Sequence, residues 1–208
     1  MSASVGIAAP TGPRLGRPRS ALARRSILDA ALALYGELGL EAMSVEGVAA
    51  RAGVGKATIY RRWDSKEELV ADAIAELIAQ VADPDTGSVR LDLIELLIQL
   101  QQAMGNSSTG RIFPRIAQEL AAGSSLGRVY RRRVIEPRAR ILDAILQRGI
   151  DRGELPATLE FELASDLLIG PIILCRLTRR LSGRTVRQRA TSIVDAVLGG
   201  LRGTAVTS

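Results

Sequence analysis

From Ser20 to Leu201 the apolar residues of this 208-residue chain return every three or four positions, and no stretch sustains the strict alternation of a half-buried strand. A 3.6-residue period lines apolar side chains along one face of a helix, so the chain is predicted to be all-α, with about nine helices. Glycine, proline and capping residues set the breaks. Ile27, Ala31, Leu34, Tyr35 and Leu38 form the stripe of a first helix that starts near Ser20 and ends on Gly39 as a left-handed cap. Ser44 caps Val45–Arg51, Gly53 turns the chain, and a second short helix runs from Gly55 to about Trp63. Ser65 with Glu68 is a capping box that opens a fourth helix toward Val81, and Asp83-Pro84-Asp85-Thr86-Gly87 is a break. Further helices are expected over Leu91–Met104, Ile112–Leu120, Leu126–Arg152, Glu160–Arg179 and Val186–Leu201. Gly105–Gly110 reads as a loop, and Pro137 interrupts or kinks the longest helix.

Side-chain chemistry excludes most enzyme classes. Histidine is absent, which removes His-based triads, zincin motifs and carboxylate–His di-iron sites together. Cys175 is the single cysteine, so there is no disulfide framework and no thiolate metal cluster. No GxxxxGK[ST] phosphate loop occurs, and neither a metal nor a cofactor is expected. Aromatic residues are only 3% of the chain, so the core must be aliphatic. Met1–Pro18 lacks an apolar core of signal-peptide length, and the longest uncharged apolar run of the C-terminal half is Leu167–Cys175. That run is far short of the roughly 20 residues a membrane helix needs. A cytoplasmic protein without a membrane partner is expected.

Charge is unevenly placed. The chain carries a net +6, yet residues 1–63 hold nine Lys or Arg against four Asp or Glu, while the rest hold nineteen against eighteen. A basic head on a neutral body suits a polyanion. Within that head, Ser44–Trp63 has a helix, a Gly-containing turn and a second helix, the signature of a helix-turn-helix whose second helix enters a DNA major groove. Ile59 and Trp63 lie four apart and face inward. Lys56 and Tyr60 share another face, as do Ala57 and Arg61, and these can face DNA. Ala57 is small enough for a thymine methyl, and a lysine ammonium suits a phosphate or a guanine edge. The only two lysines, Lys56 and Lys66, fall in or beside this element.

Residues 24–69 resemble the N-terminal domain of TetR-family transcriptional regulators. The matching run is Ile27-Leu28-Asp29-Ala30-Ala31, Leu34-Tyr35, Gly39, Ser44-Val45, Val48-Ala49, Ala52-Gly53-Val54, Thr58-Ile59-Tyr60, Trp63 and Ser65-Lys66-Glu67-Glu68-Leu69. Arg152-Gly153-Glu154-Leu155 and Leu167-Leu168-Ile169-Gly170-Pro171-Ile172 are similar to the C-terminal domain of one large subgroup of that family. The resemblance implies that Ser44, Thr58, Tyr60, Arg62 and Lys66 hold phosphates and that Lys56, Ala57, Glu46 and Arg61 meet bases. Arg17 and Arg19 either enter the adjacent minor groove or belong to a solvated tail. Four positions depart from the family pattern. Gly55 replaces the usual Ser and removes a helix-capping side chain, Arg62 stands where His or Tyr is common, and Trp63 stands where Phe is usual. Glu46 lies where some members place a base-contacting Arg; its carboxylate can accept from a cytosine amino group.

The domain plan that follows is a flexible basic arm over 1–19, a DNA-binding head over 20–66, and an effector-binding and dimerisation body over 67–208. By resemblance the last two helices make the dimer contact. Candidates there are Leu163, Leu167, Gly170, Ile173 and Leu174 on the first, and Val194, Val197 and Leu198 on the second. The ligand pocket is placed among the middle helices, with Leu97, Met104, Phe113, Ile116, Leu120 and Leu168 as its candidate lining. The resulting expectation is a ligand-responsive repressor that binds a palindromic DNA operator as a homodimer and is released by a small apolar or amphipathic effector. The alternatives are a nucleoid-type protein tolerant of sequence and a small helical enzyme.

Overall fold

The computed structural model describes residues 17–77, 81–105, 107–178 and 183–203. Among them the helices are α1 (Arg17–Ala42), α2 (Val45–Ala52), α3 (Lys56–Tyr60), α4 (Lys66–Leu77) and α5 (Val89–Gly105). They continue with α6 (Ser107–Ala121), α7 (Ser125–Tyr130), a π-helical turn (Arg131–Ile135), α8 (Glu136–Asp151), α9 (Phe161–Leu177) and α10 (Val186–Gly203). Since α7, the π turn and α8 run on without a break, the described residues form nine rods and no strand. None of these helices is long and apolar enough to cross a membrane.

Several boundaries differ from the sequence reading, each for a local reason. Helix α1 begins at Arg17 rather than Ser20. Pro18 then sits in the first turn, where a missing N–H leaves no bond unmade, so the predicted arm gives up residues 17–19 to the helix. The remainder of the arm, 1–16, lies outside the described residues. Gly39 has φ 82° and interrupts α1 as expected, but a final turn follows it to Ala42. Leu38 is exposed rather than part of the buried stripe. The Gly105–Gly110 loop is largely helix, because Ile112 and Ile116 anchor α6 in the core and its first turns extend from that anchor.

Pro137 acts one turn earlier than the sequence suggests. Its ring cannot sit against the carbonyl four residues back, and it has no N–H to give. The chain widens ahead of it into the π turn, where the Glu136 N–H donates to the Arg131 carbonyl five residues back.

Two apolar clusters hold the molecule together. The first joins Ile27, Ala31 and Tyr35 of α1 with Val48, Ile59, Trp63, Leu69 and Ile74, and it extends to Ile116, Leu126 and Val134. The head is therefore sealed by α4, α6 and α7. The second cluster packs α5, α8, α9 and α10 through residues such as Leu93, Ile145, Leu168 and Val194. Trp63 is buried, and its indole N–H donates to Asp72 at 2.9 Å, a partner that a phenylalanine would not need. In the Arg152–Leu155 motif, Gly153 turns with φ 71°, the Glu154 carboxylate accepts from the Val89 N–H at the start of α5 (3.0 Å), and Leu155 enters the second cluster.

The crossing of α6 and α7 is especially close. A Cβ on Gly127 would lie 2.9 Å from the Glu119 carbonyl carbon and closer still to its oxygen. Gly127→Ala should therefore destabilise the fold by about 1–3 kcal/mol, despite alanine's better helix propensity. Thermal unfolding would show a drop of roughly 2–10 °C; an unchanged melting temperature would mean that the crossing relaxes freely.

Candidate nucleic-acid interface and body cavity

Local chemistry fixes the reading head. Ser44 Oγ accepts the Gly47 N–H at 3.0 Å and starts α2, while Gly53, with φ 67°, reverses the chain. The start of α3 at Gly55 has no side-chain cap, as its missing hydroxyl implies. Ile59 and Trp63 are buried, which leaves Lys56, Ala57, Tyr60 and Arg61 exposed and Thr58 half-buried. Lys56, Ala57, Tyr60 and Arg61, read from the sequence as able to face DNA, thus lie on the solvent side of the head.

The charged members of that face have partners. Lys56 Nζ donates to Glu46 Oε1 at 2.7 Å across the α2–α3 turn, with both side chains exposed. Each ion holds the other charged: the hydrogen bond from Lys56 lowers the Glu46 carboxyl below its ordinary pKa, and the bond to Glu46 raises that of the ammonium. Arg62 Nη2 donates to Ser20 Oγ at 2.6 Å and thereby joins the end of α3 to the start of α1. Arg17 and Arg19 belong to that first turn of α1, with side chains outside the described residues.

Lys66 has a task the sequence reading did not give it. Its half-buried ammonium donates to the Leu40 carbonyl at 2.6 Å and reaches those of Glu41 and Met43, so it covers the C-terminal carbonyls of α1. Arg51 makes two bonds to Glu37, at 2.7 and 2.9 Å, and braces α2 against α1.

The body contains a cavity of about 400 Å³. Of the six candidate lining residues, Met104, Phe113, Ile116 and Leu120 lie on its wall. Leu97 and Leu168 do not: both are fully buried in the second cluster, on the other faces of α5 and α9. Sequence reasoning missed Tyr130, at the end of α7, and Val134, Ile135 and Arg138, which lie in and just after the π turn; all four line the wall. An i,i+5 turn shifts the phase of every later side chain, and a 3.6-residue pattern cannot anticipate it. Arg138 Nη1 donates to the Val134 carbonyl at 2.8 Å, and burial lowers its pKa. Burial also pushes the Tyr130 phenol up to about 12. Asp166 adds the second charged side chain to a wall that is otherwise apolar but for Ser165 and the Tyr130 phenol.

On the outside of α9, Leu163, Leu167, Leu174 and Leu177 are between 44% and 54% exposed, with Gly170 between them. Spacings of four, three, four and three place them on one stripe. Ile173 turns away and lines the cavity. Val194 and Leu198 are core residues, and Val197 is half-buried; on α10 the exposed residues around them are Asp195, which pairs with Arg90, and Ala196, Gly199 and Gly200. The apolar face of α10 is thus directed at its own body. Among the described residues no group of His, Cys, Asp or Glu is placed to hold a metal.

Comparison with known proteins agrees with this geometry. Residues 27–73 match the sequence model of bacterial regulatory proteins of the tetR family, and residues 83–197 match that of the tetracyclin repressor-like C-terminal domain. The uncharacterized HTH-type transcriptional regulator YdeS of Bacillus subtilis is 31% identical over 194 residues, covering 93% of this chain and 95% of its own. The DNA-binding transcriptional repressor TetR of Mycobacteroides abscessus is 31% identical over 154 residues, 73% of this chain and 78% of its own. The crystal structure of the TetR family transcription regulator SCO0332 superposes with a TM-score of 0.67 at 26% identity, covering 86% of this chain and 97% of that one.

Proposed function

The chain belongs to the TetR family of bacterial transcriptional regulators, DNA-binding proteins rather than enzymes, and from that premise we propose that it is a homodimeric repressor whose grip on a palindromic operator is released by a lipophilic effector in the body cavity. Residues 20–66, with Arg17 and Arg19 on the preceding turn, read DNA, and residues 67–208 bind the effector and pair two copies. Ser44, Thr58, Tyr60 and Arg62 hold phosphates, and Lys56, Ala57 and Arg61 face the groove. Lys66 acts through the helix end it covers.

One observation carries the ligand-responsive part. The segment that walls the cavity through Tyr130, Val134 and Ile135 also grips α4 from its outer side. There Arg132 and Arg133 both pair with Glu68, and Ser125 donates to Glu67 at 3.1 Å. Helix α4 starts directly behind the reading head. A molecule that reshapes the π turn therefore shifts α4 and changes the separation of two heads, which must sit about 34–36 Å apart, or a multiple of that, to enter successive grooves. A difference of about 1.4 kcal/mol in effector affinity between the two arrangements already changes operator occupancy tenfold. The apolar wall, with charge only at Arg138 and Asp166, favours an apolar or amphipathic molecule over a sugar.

The test is selection of duplexes from a random pool by the purified protein, followed by anisotropy titrations. A selected operator bound roughly a thousandfold or more above random duplex supports a repressor, whereas equal affinities would mean a sequence-tolerant nucleoid protein. With the operator in hand, Tyr60→Phe removes one phosphate hydrogen bond and should weaken all sequences alike by about 1 kcal/mol. A loss confined to certain base pairs would instead move Tyr60 into the groove.

A further inference from the structure

We propose that Glu46 and Lys56 act as one reading unit that selects a G·C pair in a fixed orientation within each half-site, an inference that rests on the DNA-reading function proposed above. The two side chains come from different helices, α2 and α3, yet their charged atoms meet at 2.7 Å on the exposed side of the head. Both are slightly more than half exposed, so the pair is presented outward.

The major-groove edge of a base pair carries a matching couple. In G·C, guanine O6 and cytosine N4 are joined by a Watson–Crick hydrogen bond and so lie about 2.9 Å apart. O6 is an acceptor and N4 a donor. An ammonium has three protons; with one on Glu46, two remain for O6 and the neighbouring N7. The Glu46 carboxylate has lone pairs left for the outer proton of N4. Ammonium over O6 and carboxylate over N4 close a ring of four hydrogen-bonding groups, with the protein's bonds charge-assisted.

The other three pairs fit less well, each for a definite reason. T·A keeps the order, with O4 as acceptor and N6 as donor, but has the thymine methyl near where the second acceptor for the ammonium would be. C·G and A·T reverse the order, setting the ammonium against an amino group and the carboxylate against a carbonyl oxygen. The expected ranking is G·C, then T·A, then the two reversed pairs.

The same pairing has a second effect. The carboxylate cancels the attraction of Lys56 for phosphates in general, so the unit gives up non-specific affinity and gains discrimination. Among the described residues, leaving aside Val54 and Lys56 on either side of it, nothing lies within 4 Å of where a Cβ on Gly55 would stand, so the turn beside the pair is open.

The test measures full-length protein on its selected operator with every half-site position replaced symmetrically by each of the four pairs. Wild type should show one position per half-site where G·C is favoured over C·G by about tenfold or more. The charge-swapped double variant, Glu46→Lys with Lys56→Glu, should invert that preference at this position alone. Glu46→Ala should bind random duplex more tightly while losing discrimination there, a combination that a merely structural ion pair would not give. Circular dichroism checks that each variant is folded. If the swap leaves the preference unchanged, or if Glu46→Ala keeps its discrimination, the proposal is overturned. If the double variant binds no duplex, the Glu46→Ala result decides. Wild type that selects no operator at all overturns the regulatory reading itself, a different outcome from an operator without an oriented G·C position.

Discussion

Replacing Leu167 and Leu174 by glutamate should turn the protein into a monomer and weaken its binding to a two-half-site operator by about a hundredfold or more. The side chains are 44% and 54% exposed on a helix whose opposite face already fills the core. Each side chain already has about half of its surface in water, so two carboxylates there should leave the fold standing. What they would remove is the apolar stripe from Leu163 to Leu177. Apolar area is worth about 25 cal/mol per Å² when covered, and a leucine stripe meeting its own copy is covered twice. Sedimentation velocity gives the mass, and anisotropy on one half-site and on two gives the coupling. The expected signature is unchanged affinity for a single half-site with the gain from the second abolished. A variant that sediments as a dimer would place the subunit contact elsewhere.

Glu68→Gln should lower affinity for the full operator about tenfold and leave half-site binding as it was. The Glu68 side chain is only 15% exposed and pairs with both Arg132 and Arg133 of the π turn. Without its charge, α4 loses the restraint that holds the head at one angle, and the fraction of dimers with correctly spaced heads falls. Arg133→Ala should have a smaller effect, because Arg132 still pairs with Glu68, and in the Glu68→Gln background it should add nothing, because its charge partner is already gone. Strict additivity would mean that the two residues act independently and that the route from cavity wall to head lies elsewhere. For the same reason, a lipophile that releases the wild-type operator complex should have a smaller effect on Glu68→Gln.

The head was legible because its determinants are local. Ser44 caps three residues ahead, Gly53 adopts the left-handed turn, and Ile59 and Trp63 share a face by spacing alone. The body was legible in its helices but not in what their faces meet. Periodicity identifies an apolar face without saying whether the chain's own core, a cavity or a second copy covers it. Val194 and Leu198 thus read as interface and prove to be core, while Leu97 and Leu168 read as cavity and prove to be core as well. The π turn ahead of Pro137 resets the helical phase between Val134 and Arg138 on the cavity wall, and a steady 3.6-residue period does not carry that change. Lys66 escaped for another reason: a lysine in a basic head looks like a phosphate ligand until the carbonyls beneath it are seen.

The apolar cluster that seals the head with Ile116, Leu126 and Val134 of the body limits how such a regulator can be recombined. A fragment ending at residue 66 would expose Tyr35, Ile27 and Ile59 to water wherever the missing helices had covered them. The head is not a cassette. Grafting another regulator's head onto this body would join two mismatched halves of one hydrophobic seam, and chimeras should aggregate or melt early unless the seam residues of α4, α6 and α7 travel with the head. New operator preferences are then reached more readily by point changes on the outer face, at positions such as Glu46, Lys56 and Arg61, than by exchange of whole domains.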